Sequence, residues 1–195
     1  MLIATRSWRR SRSTRLGRRV RVAPQRRRTA ATAPTTTSGP AAAMRGHIEA
    51  LRDGATSLIC TADDIGLDGI AALAEVLMTN SGLKNLSLRD AKLSESDAKA
   101  LADVLKRNTS LNTLDLSNNA FGEDVIIALA EAVKVNTSLT TLYLSGDSCG
   151  QKGAIALVEA LNVNAKLTTL ELPDGVDEEL KAQIDDCLAR NGKAS

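Results

Sequence analysis

The chain repeats itself every 28 residues, and this constrains what it can fold into more than any other feature of the sequence. The segments LKNLSLRDAKL, LNTLDLSNNAF, LTTLYLSGDSC and LTTLELPDGV begin at Leu83, Leu111, Leu139 and Leu167, and a degenerate earlier copy places Leu58, Cys60 and Ile65 in the apolar positions. The stretches between them align as well: GLDGIAALAEVLMTN, SESDAKALADVLKRN, GEDVIIALAEAVKVN and GQKGAIALVEALNVN. In the first half of each unit, Leu86 with Leu88, Leu114 with Leu116 and Leu142 with Leu144 alternate as in a strand and point to one side. In the second half, the columns Ile70/Ala98/Ile126/Ala154, Leu73/Leu101/Leu129/Leu157 and Leu77/Leu105/Val133/Leu161 recur at i, i+3 and i+7, the stripe of an amphipathic helix. One strand and one helix cannot bury these stripes alone. Stacked copies can, so the pattern predicts an α/β solenoid with one apolar layer between a parallel sheet and a row of helices.

Polar residues punctuate the same register. Asp68, Ser94 with Asp97, and Glu123 with Asp124 fall in first helical turns, where they complement the positive end of the helix dipole. Asn80, Asn108, Asn136 and Asn164 close each helical segment, which predicts C-caps in the left-handed conformation that Asn enters cheaply. A residue that recurs in every unit answers a need of the fold rather than of a site. Both ends are expected to be capped, by a helix running from the Ala41–Ala43 stretch through His47 to Arg52, and by one built on Leu180, Ile184 and Leu188 after Asp177, Glu178 and Glu179.

The pattern LxxLxLxxNxL followed by a long helix resembles the ribonuclease-inhibitor type of leucine-rich repeat, over about residues 55 to 190. The same unit occurs in NOD-like receptors, tropomodulins and the Ran GTPase-activating protein. The resemblance implies a right-handed leucine-rich-repeat solenoid with parallel strands on the concave face and α-helices on the convex face. This chain departs from the pattern at the ninth position: only Asn119 matches, and Asp63, Ala91, Asp147 and Gly175 stand there in the other units. An unbroken asparagine ladder through those turns is therefore not expected.

The near-neutral net charge of +2 conceals two unlike parts. Residues 1 to 44 carry 11 Arg and no acidic side chain, whereas the remainder carries 14 basic and 23 acidic ones, a formal charge of −9. The boundaries expected are an Arg-rich, disordered arm at 1–43 and a repeat domain with both caps at 44–195. The arm has the Arg, Ser, Thr and Ala content of a mitochondrial or plastid transit peptide. Two other readings stand beside this one, a disordered basic tail and a segment absent from a natural chain starting at Met44. Localisation follows the arm: intracellular, either cytoplasmic or in one of those organelles. No apolar stretch nears the ~18 residues that span a bilayer. Cys60, Cys149 and Cys187 are an odd number far apart, which fits a reducing compartment and no disulfide or zinc framework.

In this register the side chains leaving the concave face are Asn85, Ser87, Arg89, Thr113, Asp115, Ser117, Thr141, Tyr143, Ser145, Thr169 and Glu171. Tyr143 and Arg89 belong to the residue types that dominate interface energies. With Asp115 and Glu171 beside it, Tyr143 would suit a partner protein that offers a basic segment. The same side chains would also serve merely to solvate one face of a sheet. An acidic surface with three aromatic residues in the whole chain, Trp8, Phe121 and Tyr143, disfavours nucleic acid on the solenoid.

Chemistry finds little footing. GDSCG at 146–150 is like the surroundings of a serine-protease nucleophile, but Cys149 takes the apolar column of Leu93 and Phe121 and the lone His47 sits in a cap. Neither Asp63, Asp64 and Asp68 nor Asp174, Asp177 and Glu178 follows a calcium-loop spacing. No catalytic residue, cofactor or metal is called for, and a monomeric, non-catalytic protein-interaction module is the first expectation. Two rivals stand beside it: a GTPase activator, implied by the resemblance alone, with Arg89 as the one loose candidate, and binding of nucleic acid or an anionic surface through the arm.

Overall fold

The computed structural model describes residues 40–65 and 69–194. Most of the arm and the expected cap residue Asp68 lie outside them. The elements are α1 (Pro40–Arg52), β1 (Ser57–Ile59), α2 (Ala62–Ile65), α3 (Gly69–Thr79), β2 (Asn85–Ser87), α4 (Glu95–Leu105), β3 (Thr113–Asp115), α5 (Glu123–Val135), β4 (Thr141–Tyr143), α6 (Gly150–Val163), β5 (Thr169–Glu171) and α7 (Glu178–Ala194). The strands form one parallel sheet in chain order, β1 to β5. Each pairs with the next in the 28-residue register, so Leu58, Leu86, Leu114, Leu142 and Leu170 lie side by side. Helices α3 to α7 pack each on its successor. This is the α/β solenoid that the periodicity predicts and the leucine-rich-repeat architecture that the resemblance implies, and the strand leucines and three helical columns are buried in one continuous core.

The helix-to-strand turns hold the repeats together in a way the expectation of left-handed caps missed. Asn136 and Asn164 are extended, with φ/ψ of −72°/137° and −79°/121°. No Asn of this column is among the non-glycine residues with positive φ. Their amides do the work instead. Each Oδ1 accepts the backbone N–H groups two and three residues on, as at Ser138 (2.9 Å) and Leu139 (2.7 Å) for Asn136. Each Nδ2 reaches back one repeat: Asn80 to Leu51 O, Asn108 to Leu77 O, Asn136 to Leu105 O and Asn108 O, Asn164 to Val133 O and Asn136 O. The terminal helix joins this ladder, since Asn191 Nδ2 donates to Asn164 O and Leu167 O. Buried carbonyls and amides at the helix ends would otherwise be orphaned, and an extended Asn can serve both.

The opposite turns, strand to helix, have a shorter ladder. Asn119 Nδ2 donates to Leu88 O and Leu116 O, and its Oδ1 accepts Leu93 N–H. Asp147 continues it with Oδ1 alone, accepting from Asn119 N–H and Phe121 N–H, both at 3.1 Å. Here the backbone does enter the left-handed region, at Asp90, Asn118 and Gly146 in one column, residue types that tolerate it. Ser94 and Asp97 form a reciprocal capping box on α4. The N-terminal cap packs through Met44 and Leu51, the C-terminal cap through Ile184 and Cys187.

Candidate functional site

The three-residue strands send their first and third side chains to the face away from the helices, because the middle residue is the buried leucine. The pairing arranges these side chains in two columns, Ser57/Asn85/Thr113/Thr141/Thr169 and Ile59/Ser87/Asp115/Tyr143/Glu171. Neighbours in a column are ~4.8 Å apart, the strand spacing. Asn85 Nδ2 donates to Ser57 Oγ at 3.0 Å, and Ser87 Oγ to Asp115 Oδ2 at 3.4 Å. Tyr143 lies directly between Asp115 and Glu171, with its ring partly exposed.

Ten of the eleven predicted face residues are exposed or partly exposed, and the exception is Ser117. Ser117 is 0% exposed and its Oγ has no hydrogen-bond partner among the described residues. The chain turns inward as soon as β3 ends, with Ser117 N–H held by Asp115 Oδ1 at 3.0 Å, so strict alternation beyond the strand assigned this side chain to the wrong side. Arg89, just past β2, pairs with its exposed neighbour Asp90 at 3.8 Å, an interaction worth little in water. Ser57 and Ile59 also stand in these columns, but in the degenerate first copy, where the repeat pattern is weakest. Aligning Leu58 with Leu86 was the available signal, and Ile59, 69% exposed, extends the second column.

Elsewhere the titratable groups are structural. Burial pushes the Cys60 thiol up to about 12, aided by Asp64, and the Cys149 thiol to about 11, aided by Glu123, so neither is a ready nucleophile. Asp147 is raised by burial, against the backbone N–H groups of Phe121, Asn119 and Ala120, and nearby Asp174 adds to the rise. For Asp64, burial acts upward but is outweighed by the Thr61 backbone N–H and hydroxyl and by His47, which leaves its carboxyl below the usual range. Within the described residues no group of three or more His, Cys, Asp or Glu is placed to hold a metal ion, and no helix is long and apolar enough to cross a membrane.

The family model for the TMOD/LMOD leucine-rich domain matches residues 60–194. The chain belongs to this family. The TMOD/LMOD-type domain is similar in structure to the leiomodin-1 actin-binding site 2, with a TM-score of 0.70 and 21% identity over 82% of this chain and 92% of that one. It is likewise similar to the Caenorhabditis elegans tropomodulin C-terminal domain, with a TM-score of 0.70 and 18% identity over 77% and 94% of the two chains. At these identities the likeness is one of fold. No curated protein sequence matches the chain.

Proposed function

We propose that the TMOD/LMOD-type domain is a non-catalytic protein-binding module that takes its partner on the strand face, centred on Tyr143. The observation that carries this reading is the direct register of Asp115, Tyr143 and Glu171 across three paired strands. A guanidinium or ammonium group laid on the Tyr143 ring would meet a carboxylate on either side, a geometry suited to a partner's Arg or Lys. The rigid, hydrogen-bonded stack beneath holds these groups in place before binding, which lowers the ordering cost of association. The solved leiomodin-1 relative is described as an actin-binding site, so actin is the partner to test first. GTPase activation draws no support from the family match, and Arg89 is partly occupied by Asp90.

Co-sedimentation of the full chain with filamentous actin, and a fluorescence titration against monomeric actin, test this directly. Binding should weaken at least about tenfold in Tyr143→Ala and Asp115→Arg, a loss of ~1.4 kcal/mol or more, while circular dichroism stays unchanged. Failure to bind either form of actin would overturn the choice of partner. Unchanged affinity in both variants would overturn the strand face.

A further inference from the structure

The helix C-termini line a second edge of the solenoid, distinct from the strand face and unlike it in charge. Of the large hydrophobic side chains exposed among the described residues, Met78, Val135 and Val163 lie on this edge, at 50%, 57% and 63% exposure. Val135 and Val163 are 28 residues apart, at the ends of the packed helices α5 and α6, so they are neighbours at roughly one interhelical spacing of ~8–10 Å. Their column continues outward to Arg107 on one side and Arg190 on the other, both exposed. Beside it run Lys106 and Lys134, and Lys166 follows in the next turn. Lys106 pairs with Asp103 at 2.8 Å and Lys134 with Glu131 at 3.8 Å, whereas Arg107 and Lys166 have no ion pair among the described residues. A cleft of about 580 Å³ beside Arg52 and Thr79 opens at one end of the row, and one of about 250 Å³ reaching Asn162 and Arg190 opens at the other.

The cations alone need no ligand to explain them, since the helix dipole favours positive charge at this end. The valines are different. Valine is a weaker helix former than alanine, and at this exposure the two gain little by burial, so neither propensity nor packing accounts for them. A pair of aliphatic side chains flanked by Arg107 and Lys166, which have no ion pair among the described residues, and by Arg190, whose guanidinium donates only to Asn162 Oδ1 at 3.4 Å, is the complement of an acidic segment with aliphatic anchors. The edge is less suited to a lipid surface or to nucleic acid, because it carries no tryptophan or other aromatic ring to insert at a membrane interface or to stack on a base. We propose that this edge is a second docking surface, whose occupant is an acidic protein segment that sets aliphatic side chains against Val135 and Val163 and carboxylates against Arg107, Lys166 and Arg190. It is independent of the strand face, so one partner could be held on each.

The test uses the full chain and a synthetic amphipathic peptide with leucine at i, i+3 and i+7 and glutamate elsewhere, followed through the NMR signals of the Val135 and Val163 methyl groups. Reading the methyls keeps binding at the edge separate from attraction of the probe to the arginines before residue 44. Saturable shifts at both methyls are expected, and a V135S/V163S double variant, read at the Arg107 and Lys134 amides, should bind about tenfold more weakly. Tyr143→Ala should leave this binding unchanged, which separates it from the strand-face reading. Shifts confined to the arginine-rich arm, equal shifts with a control peptide bearing serine in place of leucine, or methyl shifts produced only by phosphatidylcholine–phosphatidylserine vesicles would each overturn the proposal.

Discussion

Asn136→Ala removes one side chain and leaves several backbone groups without partners. Asn136 is buried, and its amide donates to Leu105 O at 2.6 Å and Asn108 O at 2.9 Å while accepting from Ser138 N–H and Leu139 N–H. Asn108 O keeps a second donor in the Ser138 hydroxyl at 3.3 Å. That leaves Leu105 O and the two amides. An orphaned buried group costs ~1–3 kcal/mol, and water reaching the partly exposed Ser138 softens one of the three. The expected loss is therefore about 3–5 kcal/mol, near the upper range for a single substitution. In a chain of this size it corresponds to a drop in Tm of roughly 6–20 °C. Asn80→Ala is the internal control. Asn80 likewise holds two turn amides, Gly82 N–H at 2.9 Å and Leu83 N–H at 2.8 Å, but the carbonyl it reaches back to, Leu51 O at 3.2 Å, keeps Gly54 N–H, and Gly82 is partly exposed, so its removal should cost less, about 2–3 kcal/mol. Urea unfolding followed by far-ultraviolet circular dichroism measures both. If Asn136→Ala costs no more than Asn80→Ala, the inter-repeat hydrogen bonds contribute nothing beyond a turn cap and the reasoning fails.

Other substitutions probe the remaining devices. Asp147→Asn should stabilise the fold by about 1 kcal/mol at pH 7, because the buried Oδ2 has no partner and an amide there could donate as Asn119 does. Since the folded Asp147 pKa is raised above 3.8, the natural chain gains stability as pH falls through the folded value. The advantage of the variant should therefore shrink on acidification, and parallel melts across pH check this. Ser94→Ala breaks the capping box of α4 and should cost about 1 kcal/mol. Gly122→Ser supplies α5 with the side-chain cap it lacks, at an extended position where a Cβ meets nothing nearer than Glu95 Oε1 at 3.5 Å. It should gain a few tenths of a kcal/mol, about what a Gly-to-Ser cap is worth. Cys60 and Cys149 should react with a thiol reagent only slowly in the folded protein and fully in denaturant, given their burial and raised pKa.

What the sequence by itself determined is the set of side chains that must leave water. Leu86, Leu114 and Leu142, with the helical columns through Leu73 and Leu77, recur at one spacing, and a stack in that register is the arrangement that buries them all. Strand order, parallel pairing, the capping box at Ser94 and the polar columns around Tyr143 follow from that single constraint. The tertiary structure decided what depends on atoms meeting across repeats. An Asn at a helix end looks like a left-handed cap in a one-dimensional pattern. Only the position of the preceding repeat puts a free carbonyl within 2.6–3.2 Å of its amide and makes extended backbone the better solution. The burial of Ser117 is of the same kind, because it depends on the path of a turn rather than on alternation along a strand. So is the exposure of Val135 and Val163. Periodicity says which residues can face the core, but how far the layer extends past each helix end is set by the packing of one repeat against the next.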